Sequence, residues 1–298
     1  MWPAGESRIR ARWLDVPLPP ALSTVATTER VRVVEGGPAG GPPVVLVPGW
    51  GCSAYIFKAT VPALAQAGFR VFVPDMRGHG LSDKPRDRRL YTRDALAGQL
   101  LAVMDALAVP RAAVVGHSMA GAVAAHTAGA APARVTRLVL LSPVGCGRVR
   151  GIALFRAAAR SPLGALAPHL VRRWMFDLVL RAVYAHDSEI TRRDLDEYWA
   201  PTQFPDFIPA LVTLVRTFDW SVLSEEAAAA LTMPTLVAYG TRDLLLRYDC
   251  VPRALREGPG RRVVTFPGGG HVAHAEMAFE ANRTLIDFLR GRAGVGNA

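Results

Sequence analysis

Lysine is almost absent from this 298-residue chain: Lys58 and Lys84 stand beside thirty-three arginines. The net charge of +10 is therefore an arginine charge, and the arginines are spread along the chain. A short basic stretch, Arg86, Arg88 and Arg89, is broken by Asp87 and preceded by Asp83. Nucleic-acid surfaces concentrate their basic residues, so no nucleic-acid partner is expected. Cysteine is scarce too. Cys52, Cys146 and Cys250 are odd in number, far apart, and without a C-x-x-C spacing. That argues against a disulfide framework and against a metal site, and agrees with a reducing, cytoplasmic compartment. Long hydrophobic runs are missing as well. The first twenty residues carry charges and prolines but no apolar leader core. The most apolar long stretch, Leu163 to Ala185, contains Arg172, Arg173, Asp177 and Arg181. It is too charged to span a bilayer, and membrane contact is not expected; the only hint of it is those three arginines opposite an apolar stripe.

Half of the residues are hydrophobic, enough to bury a sizeable core, and no internal repeat is visible. Short Val-rich runs alternate with Ala/Leu-rich ones. Strands are predicted at Val31–Glu35, Pro43–Val47, Arg70–Pro74, Ala112–Val115, Arg137–Leu141, Pro234–Tyr239 and Arg262–Phe266. Helices are predicted at Asp94–Leu107, Met119–Ala131 and Ala275–Arg290. This alternation implies an α/β protein with a mostly parallel central sheet flanked by helices. One region breaks the rhythm: from Gly147 to Trp220 no strand is evident. There Leu170/Val171, Trp174/Met175, Leu178/Val179 and Ala182/Val183 recur every four residues, and Thr191 with Asp194 forms a capping-box start. The chain thus divides into core residues 1–146, a helical insertion 147–220, and core residues 221–298. The tail from Gly291 is expected to fray.

Ser118, in VVGHSMAG, sits between a clear strand and a clear helix, unlike the nine other serines. A serine hydroxyl is a weak nucleophile; it needs a base and donors for the oxyanion it generates. A sharp strand-to-helix turn lifts the side chain from the sheet edge and aims the helix N-terminus at the reacting centre. Such a turn is crowded, and Gly116, Ala120 and Gly121 supply the small neighbours. Ser142 is a weaker candidate because Pro143 follows it and no helix starts there. His271 follows an apolar strand and three glycines, at a loop tip where a base reaches the serine; His274 is the second choice. His117 is locked in the turn, His126 reads as a packed core residue, and His169 and His186 are given no role. Asp243, after the strand PTLVAYG, is the acid that would orient His271. The backbone amides of Met119 and Trp50 are the expected oxyanion donors.

The stretches VPGWGCS, PDMRGHGLSDKP, GHSMAG, YGTRD and GGGHVAHAE, in that order, resemble the α/β-hydrolase superfamily and its capped serine hydrolases of esterase or lipase type. The resemblance runs from Val31 to Leu289. It implies an α/β-hydrolase fold with a helical cap inserted between strands, and a scaffold role for Asp75, Arg77 and His79. It also implies serine chemistry that needs no cofactor. Two departures matter: Pro48 stands where relatives often have histidine in the oxyanion loop, and Ala120 replaces the last glycine of G-x-S-x-G. A serine at the nucleophile position argues against epoxide hydrolases and haloalkane dehalogenases, which use aspartate there. The expected reaction is hydrolysis of hydrophobic carboxylic esters through an acyl-serine. Trp174, Met175, Trp199 and Phe207 are candidates for an apolar pocket, with Phe176, Phe204 and Phe218 also in the cap. The alternatives are C–C hydrolysis of an acidic dienoate, which would need one of Arg172, Arg173 or Arg181 facing inward, a perhydrolase or acyltransferase activity, or a non-catalytic ligand binder.

Overall fold

A computed structural model describes residues 9–19 and 27–292; positions 293–298, most of the tail expected to fray, lie outside the described residues. The described residues form ten strands: β1 Ile9–Pro17, β2 Thr28–Gly36, β3 Pro43–Val47, β4 Arg70–Pro74, β5 Ala112–His117, β6 Val135–Leu141, β7 Arg148–Val149, β8 Thr235–Gly240, β9 Leu246–Arg247 and β10 Arg261–Phe266. Eight of them form one sheet in the order β1-β2-β4-β3-β5-β6-β8-β10. The β1–β2 and β2–β4 pairs are antiparallel and the rest are parallel.

The interior strands are apolar without alternation because both faces of the sheet are covered. Successive residues still part to opposite sides. Val45, Val47, Val114, Leu138 and Leu140 join one buried cluster, and Val44, Leu46, Val115, Val139 and Leu141 the other. The core helices are α1 Thr60–Gln66, α2 Arg93–Ala106 and α3 Met119–Ala130. The insertion then supplies α4 Ile152–Arg160, α5 Pro162–Leu170, α6 Arg173–Val183, α7 Arg192–Trp199 and α8 Phe207–Thr217. The core resumes with α9 Glu225–Ala229, α10 Arg253–Arg256, α11 Ala273–Glu276 and α12 Ala278–Leu289.

Several expectations need correction. Residues 9–17, given no element from sequence, form the edge strand β1, whose Leu14 and Val16 bury one face while Arg10 and Arg12 reach Glu35 of β2. The single last helix is broken at Met277, which leaves helical geometry (φ −111°, ψ 51°). The insertion is not strand-free: β7 pairs with β9 in a separate two-stranded sheet. The Thr191–Asp194 capping box is present at the start of α7.

The helical insertion reaches the core through α8 and, separately, through Leu180 and Tyr184 at the end of α6. Phe207, Leu211 and Leu214 pack with Met119, Val123 and Leu96 in a third buried cluster, directly over the start of α3. The apolar stripe read along 170–183 behaves differently. Leu170, Trp174, Leu178 and Val179 of that stripe are exposed, and Leu180 is the buried residue of α6.

Candidate active site

Ser118 occupies the turn between β5 and α3 with φ 55° and ψ −122°, a left-handed backbone for a residue that is not glycine. Such a conformation costs on the order of 1–3 kcal/mol and persists only where the surroundings impose it. Here the Ser118 amide donates to the Leu141 carbonyl, while the Ser118 carbonyl accepts from Gly121 and Val144. The small neighbours are required sterically. A methyl on Gly116 would lie 2.3 Å from the Ala120 carbonyl oxygen, and one on Gly121 would lie 2.5 Å from Pro143 Cβ. Ala120, in place of glycine, is accommodated and buried.

The structure brings Ser118, His271 and Asp243 together from three separate loops at the carboxyl ends of β5, β10 and β8. His271 Nε2 lies 2.9 Å from Ser118 Oγ, and His271 Nδ1 lies 2.8 Å from Asp243 Oδ2. His271 and Asp243 are buried and Ser118 is half-buried. With Nδ1–H donating to the carboxylate, Nε2 is left to accept the serine proton. Burial pushes the Asp243 carboxyl up. The facing His271 imidazole and the Leu246 and Leu245 amides outweigh it and hold Asp243 below the usual carboxylate range.

The loop carrying Trp50 runs beside the nucleophile: a methyl on Gly49 would come within 2.8 Å of Ser118 Cβ and 3.0 Å of the His117 carbonyl oxygen. Neither the Trp50 nor the Met119 amide has an acceptor among the described residues. The Trp50 indole is turned away and donates to the Leu211 carbonyl at 3.2 Å, tying this loop to α8.

The other predicted positions fall elsewhere. Trp174 lies on the outer surface of the cap, and Phe207, the first residue of α8, is fully buried in the third core cluster. Neither position fits a pocket lining, because the cap turns its α6 stripe outward and spends Phe207 on packing. Met175 is half-buried, and Trp199 stacks edge-on against Phe176 at 5.5 Å. Arg173 pairs with Asp196 on the surface, Arg181 pairs with Asp177 and Asp187, and exposed Arg172 donates to the His169 and Val171 carbonyls. His126 is not a core residue: it pairs with Asp94 at 2.9 Å on a partly exposed face.

Two functional neighbours, Tyr248 and Glu276, escaped the sequence reading, and a third, His117, is placed there only as locked in the turn. Tyr248 donates its hydroxyl to Asp243 Oδ2 at 2.9 Å. Glu276 accepts from the amides of Ala185, His186 and Gly270, clasping the His271 loop to the end of α6. His117 lies 3.3 Å from the His271 carbonyl oxygen through its Nε2, and its ring is 4.6 Å from that of His274. Tyr248 lies five residues after the acid and Glu276 five after the base, spacings with no motif of their own. Burial holds His117 well below its ordinary value and takes His274 down to about 3, so both stay neutral beside the base. Asp75, Arg77 and His79 lie in buried networks away from this row, with Arg77 forked onto Glu29 and Asp75 accepting from Ala54 and Leu81. Among the described residues no three metal-ligating side chains converge.

Comparison with known proteins agrees with this fold. Residues 42–278 match the family described as alpha/beta hydrolase fold. The chain is 32% identical over 263 residues to the dihydrolipoyllysine-residue acetyltransferase component of the acetoin cleaving system of Pseudomonas putida, covering 87% of this chain and 66% of that longer one. It is 32% identical to the putative carbamate hydrolase RutD of Variovorax paradoxus, covering 85% of this chain and 93% of that one. A meta-cleavage product hydrolase from Pseudomonas fluorescens superimposes with a TM-score of 0.74 at 24% identity, over 88% of this chain and 95% of that one. By sequence family, sheet topology and turn geometry alike, the chain belongs to the α/β-hydrolase family.

Proposed function

We propose that this hydrolase cleaves carboxylic esters with apolar acyl or alcohol groups through an acyl-serine intermediate. The observation that carries the reading is the hydrogen-bonded row Ser118–His271–Asp243. In the proposed reaction Ser118 Oγ attacks the carbonyl carbon as its proton passes to His271 Nε2. The resulting oxyanion lies against the Trp50 and Met119 amides, a contribution of about 3–4 kcal/mol per donor. Collapse breaks the C–O bond, and the leaving alcohol takes the proton from His271. Water then repeats the sequence on the acyl-serine and releases the acid. Asp243 stays ionised and stabilises the imidazolium at each stage.

An acidic dienoate substrate is less well served, because Arg172, Arg173 and Arg181 are exposed and engaged with carbonyls or carboxylates. Similarity to a putative carbamate hydrolase places aryl carbamates in the same screen. The test is a hydrolysis panel of aryl esters of graded chain length, an aryl carbamate and a dienoate, with fluorophosphonate labelling. Ester turnover should exceed the other two, and Ser118→Ala should lower kcat by on the order of 10⁴ or more. Failure of the folded protein to label at Ser118, or dienoate turnover exceeding that of every ester, overturns the reading.

A further inference from the structure

Charge and exposed apolar surface coincide in one part of the cap. Residues 147–186 contain seven arginines and one acidic residue, Asp177, a formal +6 of the chain's +10. The balancing carboxylates come later, on and around α7, whose Asp194 is buried against Lys58 of the core. Arg173 and Arg181 reach toward that side, to Asp196 and Asp187. Arg148, Arg150, Arg160 and Arg172 are exposed and have no carboxylate partner among the described residues.

The same stretch carries seven of the large apolar side chains left exposed. Leu154 and Phe155 on α4 are 75% and 62% exposed, and Trp174 and Leu178 on α6 are 64% and 56% exposed. Leu166, Leu170 and Val179 complete the set. Leu166 and Leu170, and again Trp174 and Leu178, are four apart, so each pair forms one outward row on its helix. In a water-soluble cap these rows would be the polar faces. Their burial instead goes the other way: Ala159 and Leu180 are the inward residues of α4 and α6.

Against the expectation from sequence, we propose that the exposed apolar rows and unpaired arginines of α4, α5 and α6 dock this protein on an anionic bilayer surface. Apolar side chains seated at the headgroup level among arginines paired with lipid phosphates match the chemistry of an interfacial helix surface. A second copy of this chain is a poor occupant, because a two-fold contact would press the unpaired arginines of two copies together. Duplex nucleic acid would satisfy the arginines but leave Leu154, Phe155 and Leu178 in water. Contact would be peripheral, since no helix among the described residues is long and apolar enough to cross a membrane. The face is also mechanically joined to the site: the carbonyl of Val183, at the end of α6, accepts the His271 amide at 2.8 Å.

The experiment is flotation of the full chain with vesicles of equal parts phosphatidylglycerol and phosphatidylcholine, against phosphatidylcholine alone. Binding should require the anionic lipid and should collapse at about 1 M salt, where the screening length is about 3 Å. Two double variants, Phe155→Ser with Leu178→Ser and Arg150→Glu with Arg160→Glu, should each weaken partitioning by at least about tenfold. Thermal melting of both variants checks that they remain folded, which is expected because all four side chains are exposed. The proposal is overturned if the protein stays with the aqueous phase in low salt. It is equally overturned if both variants float like the parent, or if the parent binds duplex DNA or dimerises through this face while ignoring the vesicles.

Discussion

Asp243 presents two oxygens to four donors, and the allocation matters. Oδ1 accepts the Leu245 and Leu246 amides, while Oδ2 is shared between the His271 ring and the Tyr248 hydroxyl. Tyr248 is stacked on Tyr239 with ring centroids 3.9 Å apart, which fixes where its hydroxyl points. Burial, reinforced by the Asp243 charge, holds the phenol well above its ordinary value, so it stays protonated and keeps donating. A second donor on Oδ2 draws charge from the bond to His271 and tempers the pull of the carboxylate on the imidazolium. Tyr248→Phe returns that charge. The carboxylate also loses a donor that holds it in line with the ring, so kcat/KM should fall by roughly threefold to tenfold. A kcat/KM equal to the parent's would show Tyr248 to be packing alone.

At the level of elements, the His271 loop is held as much by the cap as by the sheet. Glu276, in the short α11, accepts from Gly270 in front of the base and from Ala185 and His186 just after α6. Glu276→Gln offers one acceptor oxygen where there were two and turns an amide NH₂ toward N–H donors. Leaving a buried donor unmet costs about 1–3 kcal/mol, so denaturant unfolding should show a loss of that size. An unchanged midpoint would mean that the clasp carries no weight. This clasp also marks where reading the sequence stopped. Val-rich strands and the glycine–serine turn were legible because a two-sided parallel sheet demands unbroken apolar runs and a crowded turn demands small residues. Ser118, His271 and Asp243 were legible because each closes a strand that already had a clear pattern. Strand β1 was hidden by Arg10, Arg12 and Asp15: the two arginines share the inward face of Leu14 and Val16 but pair there with Glu35, and Asp15 lies on the exposed face. The outward orientation of α6 was hidden for a different reason. Periodicity locates an apolar face but does not say which side of the helix meets the core; here Leu180, buried with Tyr184 in the second core cluster, decides it.

Across the whole molecule, both lysines sit at the seam between core and cap. Lys58 pairs with buried Asp194 of α7, and Lys84 lies over the rings of Phe204 and Phe207, 5.4 and 5.8 Å from their centroids. Below that seam three buried histidines, His79, His117 and His274, are held neutral. Burial takes His79 down to about 4 and His274 to about 3, and His117 lies well below its ordinary value. In the unfolded chain the same side chains take up protons near pH 6.5. Between that value and about 4 the unfolded state binds protons that the folded state refuses, so the stability of the fold rises with pH and is lost as pH falls through this window. Each histidine contributes a slope of about 1.4 kcal/mol per pH unit. Asp243 and Asp194, whose folded-state values are depressed, act in the same direction but only below the ordinary carboxylate range, leaving the window above about pH 5 to the histidines. Urea unfolding between about pH 7 and pH 5 should show the slope building below pH 6.5. His274→Gln should reduce it by about one proton, because its Nε2 has no partner in the fold and its burial is the main source of the shift. If His274→Gln unfolds with the same pH dependence as the parent, that imidazole is already protonated in the folded protein and the neutral cluster beside the base does not exist.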